Sequence, residues 1–139
     1  LEKEGESLGF IMDHFQFMIQ LKLVPSLCPY CIEPQRPHPD DLKRLGLKPE
    51  TLRKPNFYIS QGCEYCSEKG FTDYTLVYEL LFLTPPVLRI LQENPLGNET
   101  AQHLLKTGSL VSINQVAREK LYRGRISLQT YVQVLQKKI

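Results

Sequence analysis

Two short stretches decide how this chain folds: Cys28-Pro29-Tyr30-Cys31 and, after the 31 residues 32–62, Cys63-Glu64-Tyr65-Cys66. These are the only four cysteines in the chain, and they fall as two CxxC pairs. A CxxC turn lets two thiolates reach one tetrahedral ion, and a second turn completes the shell. The spacer exceeds the ~15–20 residues of common zinc ribbons. It remains easy to close, because loop entropy grows slowly with length. Pro29 fixes φ just after Cys28, Gly62 precedes Cys63, and Gly70 follows Cys66 by four residues. Leu27 and Phe71 are placed to cover the site. The leading reading is therefore a structural tetracysteine zinc site on Cys28, Cys31, Cys63 and Cys66.

Two other readings compete with it. Disulfides suit short secreted scaffolds richer in cysteine, and nothing else marks this chain as secreted. A thiol redox site is the other, since Cys-Pro-Tyr-Cys is a glutaredoxin tetrad. That chemistry needs the tetrad at a strand-to-helix turn. Here Pro34, Pro37 and Pro39 follow closely and preclude a helix. An iron–sulfur cluster also uses four cysteines and is a subcase of the metal reading. His14, His38 and His103 are not needed as ligands and read as ordinary histidines.

Working outward, residues 8–23 carry Leu8, Ile11, Met12, Phe15 and Ile19 at helical spacing, with Phe10, Phe17, Met18 and Leu21 on the other side. That predicts a helix apolar nearly all round, which is buried or contacts another domain. Residues 32–39 read as a proline-rich loop. Asp40 or Asp41 then N-caps a short helix through Leu45, closed by Gly46. Phe57-Tyr58-Ile59 is a short strand candidate, and residues 74–83 are rich in β-formers. Glu79, the only charge in that second run, is either a water-facing edge residue or the partner of a basic group.

Thr84-Pro85 is a helix start, with Val87, Leu88 and Leu91 as its apolar stripe. Asn98 or Thr100 starts another helix that Gly108 closes. Ser112 and Gln115 have capping-box spacing before Ile113, Val116, Ala117 and Leu121, and Gly124 ends that helix. Ser127 caps the last one, with Leu128, Tyr131, Val132 and Leu135 inward. The fold class expected is α+β, mainly α. A small tetracysteine subdomain with short strands leads into a compact bundle of short helices.

The remaining composition bounds the function. Of 139 residues, 42% are hydrophobic and 23% charged, the balance of a soluble globular chain. Net charge is +2, too balanced to argue for nucleic acid. The excess of base lies in Arg118, Lys120, Arg123, Arg125, Lys137 and Lys138, which read first as a solvated helix face. No apolar run reaches the ~18 residues of a membrane span. There is no GxxxxGK[ST], GxGxxG or GxSxG motif. No catalytic or nucleotide-binding residue is assigned, so the chain alone reads as a binding or structural module and not an enzyme.

The order of these features resembles the C-terminal part of the secretion ATPases that drive type II secretion, type IV pilus assembly and DNA uptake. In that family a segment like "QRLVRKLCPHC" precedes a spacer of about thirty residues, then "GCxxC" and "GYxGRxGIxELL". Here Leu21-Lys22-Leu23-Val24-Pro25-Ser26-Leu27-Cys28-Pro29-Tyr30-Cys31 is followed by Gly62-Cys63-Glu64-Tyr65-Cys66 and by Gly70 to Leu81. Ser112 to Val134 matches the family's helical tail in outline, and Leu1 to Gly5 is similar to the end of its ATPase core. The departures are Asp73-Tyr74 where the family has Gly-Arg, Leu76 for a small residue, and Lys22 for an arginine.

The resemblance implies that the four cysteines hold a structural zinc ion. It implies a division into 1–24, the end of a RecA-like ATPase core, 25–83, the tetracysteine subdomain, and 84–139, a helical subdomain. The parent would be a hexameric, ATP-binding ATPase, cytoplasmic and peripheral at the inner membrane. Its ATP and Mg2+ would bind in a core N-terminal to Leu1. Its partners would be its own core, neighbouring ring subunits and an inner-membrane platform protein, with no nucleic acid. A free-standing tetracysteine zinc module, binding protein or nucleic acid, is the alternative.

Overall fold

The computed structural model describes residues 14–45, 57–93 and 97–136. Five strands and five helices run in the order β1 (Phe17–Leu27), β2 (Ile32–Pro34), α1 (Pro39–Arg44), β3 (Tyr58–Ser60), β4 (Phe71–Phe82), α2 (Pro85–Glu93), α3 (Asn98–Lys106), β5 (Leu110–Val111), α4 (Ile113–Tyr122) and α5 (Leu128–Gln136) among the described residues. A 3₁₀ turn at Glu64–Cys66 lies between β3 and β4. The class is α+β, as expected. Three strands are short, but β1 and β4 are 11 and 12 residues long.

The chain divides into two compact units. One contains the chain through Leu21 together with Tyr78–Ile113; the other contains Lys22–Val77 and the chain from Asn114 onward. In the first, β4 pairs antiparallel with β5 through Leu80↔Val111 and Leu81↔Leu110. Its buried side chains include Leu83, Val87, Leu88 and Leu104 among the described residues. In the second, β2 and β3 form a small antiparallel sheet, Ile32↔Ser60 to Pro34↔Tyr58. Phe57, Val77, Leu121, Ile126 and Tyr131 are buried there.

The helix expected over 8–23 is the main correction. Residues 8–13 lie outside the described residues, His14 is helical, and Phe17 onward is strand. The run Ile19-Gln20-Leu21-Lys22-Leu23 alternates apolar and polar, which is the strand period. The sheet order β1-β4-β5 leaves β1 at an edge, where Pro25 costs no central ladder bond. Phe17, Ile19, Leu21 and Leu23 share one face of this strand and Met18 lies on the other, but at helical spacing the same residues imitate a helix apolar all round. They are not buried: Phe17, Met18, Ile19, Leu21 and Leu23 are exposed.

Smaller corrections concern caps. The first short helix starts at Pro39 and is capped by His38, whose Nδ1 accepts from the Asp40 N–H at 3.3 Å. Gly46, its expected stop, lies outside the described residues. Helix α3 starts at Asn98, one of its two expected starts, with Gly97 as the N-cap residue. Pro34, placed in a loop by its neighbours, closes strand β2. Glu79 does not sit on an edge strand. It lies on central strand β4, and its carboxylate accepts from the Ile113 N–H at 3.5 Å, at the positive end of α4.

Other starts and stops hold. The Thr84 carbonyl accepts from the Leu88 N–H at 3.0 Å in the first turn of α2. Ser127 Oγ accepts from the Thr130 N–H at 3.1 Å and caps α5. The end of α4 closes through Gly124 N–H to Leu121 C=O and Arg125 N–H to Lys120 C=O. Two of the basic residues are locally engaged: Arg123 pairs with Glu119 at 2.6 Å, and Arg118 Nε donates to the Tyr131 hydroxyl at 3.4 Å. Among the described residues, no helix is long and apolar enough to cross a membrane.

Candidate metal centre

Backbone hydrogen bonds assemble the second cysteine pair into a tight knuckle. Cys63 C=O accepts from the Cys66 and Glu68 N–H groups at 3.1 and 2.9 Å. Ser67 and Glu68 take positive φ of 51° and 62° to complete the turn. Gly62 and Gly70 bracket it with φ of +100° and +74°. A Cβ at Gly62 would lie 2.8 Å from the Glu68 carbonyl oxygen, and one at Gly70 would lie 2.8 Å from that of Ser60. Both positions therefore require glycine on conformation and on space.

The first pair leaves the end of β1 and is tied to the second. Cys28 N–H donates to Gly70 C=O at 3.1 Å, and Ser60 Oγ donates to Cys28 C=O at 3.2 Å. Gln61 N–H donates to Cys31 C=O at 3.3 Å. The end of β1 is anchored separately, because Arg125 C=O accepts from Leu27 N–H and Ser26 Oγ. Leu27 and Phe71 flank the two cysteine pairs in sequence. With Pro25, Ser60, Gly70 and Leu128 they line a cavity of about 620 Å³.

The outcome is a cluster in which all four Sγ atoms lie within 4.8 Å of one another. Cys28 and Cys63 are 3.9 Å apart, Cys31 and Cys66 4.0 Å, and Cys63 and Cys66 3.7 Å. Four sulfurs at ~2.3 Å from a tetrahedral ion would stand about 3.8 Å apart. A disulfide would bring two of them to about 2.05 Å. All four cysteines are free. The donor set and its spacing thus fit a tetrathiolate ion site. Cys28 and Cys66 are buried, while Cys31 and Cys63 are half-buried.

The cluster is electrostatically uneven. Burial opposes charge on Cys66, but N–H groups of Cys63 and Gly70 point at its sulfur from 3.2 and 3.3 Å. With the neighbouring thiols they lower the Cys66 thiol to about 7. Desolvation leads in pushing the Cys31 thiol up to about 12; the three other cysteines add to it, and the Gly62 backbone opposes it. A divalent ion reverses such a penalty, since a coordinating thiol is deprotonated.

No histidine joins the cluster. His38 instead stands 3.4 Å from the Asp40 carboxylate, with both side chains exposed. Cys31 is followed by strand β2 and not by a helix, so the strand-to-helix turn of a redox CxxC is missing. Residue spacing did not reveal that Tyr30 and Tyr65 meet. Their ring centroids are 4.0 Å apart at 45°, and hydrogen bonding with Tyr30 raises the Tyr65 phenol above its ordinary range. The matching third position in each CxxC was the available signal.

The family described as type II/IV secretion system protein matches residues 5–133. The chain belongs to that family. A type IV pilus assembly ATPase PilB from Acinetobacter baylyi is 31% identical over 134 residues, covering 93% of this chain and 22% of that protein. PilB from Thermus thermophilus is 25% identical over 132 residues, covering 88% of this chain and 13% of its own length. Type II secretion system protein E from Pseudomonas aeruginosa is 26% identical over 113 residues, covering 81% and 22%. The chain therefore spans between 13% and 22% of the length of these relatives. The family match covers both cysteine pairs.

Proposed function

We propose that this chain is the zinc-bearing C-terminal part of a cytoplasmic, hexameric ATPase that powers type II secretion or type IV pilus assembly. The observation that carries this reading is the four-sulfur cluster, set within a chain that the secretion family matches over residues 5–133. Cys28, Cys31, Cys63 and Cys66 would hold the ion. Four thiolates close a tetrahedral shell, so a zinc ion there supplies a cross-link and no open position for substrate.

The residues around the site act mechanically. The cross-link joins the end of β1, at Cys28, to the knuckle that opens β4, at Cys66 and Gly70. The N–H groups of Cys63 and Gly70 favour the charged form of the Cys66 sulfur. The region is structural and coupling, while ATP and Mg2+ bind in the ATPase core of the parent. The exposed apolar side chains of β1 support a position against that core or a neighbouring ring subunit. An inner-membrane platform protein is the further partner, with the assembly peripheral at the inner membrane. The near-neutral charge favours protein partners over nucleic acid.

The test is elemental analysis of natively purified protein, together with ATP turnover by the isolated chain. One zinc per chain and no turnover are expected. Turnover that follows a point substitution in this chain, or the absence of metal with reactive Cys28 and Cys31, would overturn the reading.

A further inference from the structure

Tyr30 and Tyr65 occupy the same position in the two cysteine pairs, and the fold brings their rings together at a tilt of 45° although they are 35 residues apart. The contact has not hidden them: Tyr30 is 68% and Tyr65 64% exposed. Paired aromatic rings on a rigid turn offer large contact area at small entropic cost, which is why tyrosine is enriched where proteins bind.

The charges beside the pair select the partner. The segments 28–33 and 61–70 carry Glu33, Glu64 and Glu68 against one base, Lys69. Glu64 directly precedes Tyr65 and is exposed, as is Glu68. Glu33 accepts from the Gln61 amide at 3.4 Å. Among the described residues, none of the three carboxylates is in an ion pair. Phosphate-rich ligands would be repelled here, and an apolar segment would strip water from the carboxylates without replacing their hydrogen bonds. A guanidinium satisfies both features, because its plane stacks on a tyrosine face while its edge donates to a carboxylate. Lysine, a compact and strongly hydrated charge, does this less well.

We propose that the Tyr30–Tyr65 pair, with Glu64 and Glu68, is a docking surface for an arginine-bearing segment of a partner protein. The proposal goes beyond the secretion-ATPase reading and needs the metal only to hold the two turns together. Metal content is therefore measured on every variant, which separates a collapsed site from a lost contact.

The probe is a short glycine–serine peptide carrying two arginines, titrated into the metal-loaded chain and followed by NMR shifts of the tyrosine rings. Peptides with lysine or uncharged citrulline in place of arginine are the controls. Saturable shifts centred on Tyr30 and Tyr65 are expected with the arginine peptide, and binding about tenfold weaker with citrulline. Tyr30→Ala or Tyr65→Ala should weaken binding by about tenfold while one metal per chain is retained, and Glu64→Gln by about threefold at low salt. Should an alanine variant lose its metal, Tyr65→Leu keeps apolar bulk without an aromatic face and serves the same test. Equal binding of the arginine and citrulline peptides would overturn the proposal. So would unchanged binding in Tyr30→Ala or Tyr65→Leu with metal retained, or preferential binding of a short RNA or an apolar peptide.

Discussion

The two compact units reach order by different means. The unit that holds the cysteines closes on itself: Phe57, Val77, Leu121, Ile126 and Tyr131 are buried, and four sulfurs converge at its other focus. The unit built from the chain through Leu21 and Tyr78–Ile113 buries Leu83, Val87, Leu88 and Leu104, yet leaves Phe17, Met18, Ile19 and Leu21 exposed. A small domain short of apolar core can be completed by a metal, or by a neighbour that covers what it leaves open. The cysteine unit has the donor set for the former, and the other presents the surface for the latter.

Breaking the metal site should have the largest effect. Binding to structural zinc sites is worth ~10–16 kcal/mol, comparable to the whole stability of a domain. Cys28→Ser, or removal of metal by a chelator, is expected to unfold the 25–70 region, seen as collapse of amide dispersion there in NMR spectra. Signals from Tyr78–Ile113 should persist. Unchanged thermal stability in Cys28→Ser would remove the contrast between the units.

Next in size is the packed side of the cysteine unit. Tyr131 is 1% exposed, and its hydroxyl donates to Asn114 Oδ1 while accepting from Arg118. Tyr131→Ala should cost about 3–5 kcal/mol by denaturant titration, since it empties a large site. It should also leave Asn114 without this donor. A cost below 1 kcal/mol would mean that this core is far looser than its burial indicates.

The amount of this that was legible in the sequence varied with the kind of signal. The cysteine site was readable because CxxC pairs constrain chemistry and local geometry together. Gly62, Gly70, Ser127 and Gly124 were readable because caps and tight turns are local. The β1 region is ambiguous for a physical reason. Phe17, Ile19, Leu21 and Leu23 share one face of a strand and Met18 lies on the other, yet at helical spacing the same apolar residues fall on every side of a helix. Pro25 carried the deciding information, as it fits an edge strand that continues through it. The role of Glu79 and the meeting of Tyr30 with Tyr65 are contacts across 34 and 35 residues, and single-sequence periodicity holds no record of such pairings.

In the open unit the expected effects are smaller. Glu79→Gln removes a negative charge from the start of α4 and should cost about 0.3–1 kcal/mol, less in high salt. Loss of the salt dependence in the variant would confirm the origin of the effect, and an equal cost at all ionic strengths would argue against it. Leu21→Ser, at an exposed position, should change the stability of this chain by less than about 0.5 kcal/mol. A cost of several kcal/mol would show that β1 is covered in solution by something this chain itself supplies.

The most direct test of the account is X-ray absorption at the zinc edge on natively purified protein, with metal counted per chain. One zinc per chain is expected, with four sulfur neighbours at ~2.3 Å and no nitrogen or oxygen in the shell. Protein free of metal with Cys28, Cys31, Cys63 and Cys66 in disulfides, or a shell containing a histidine or water, would contradict it.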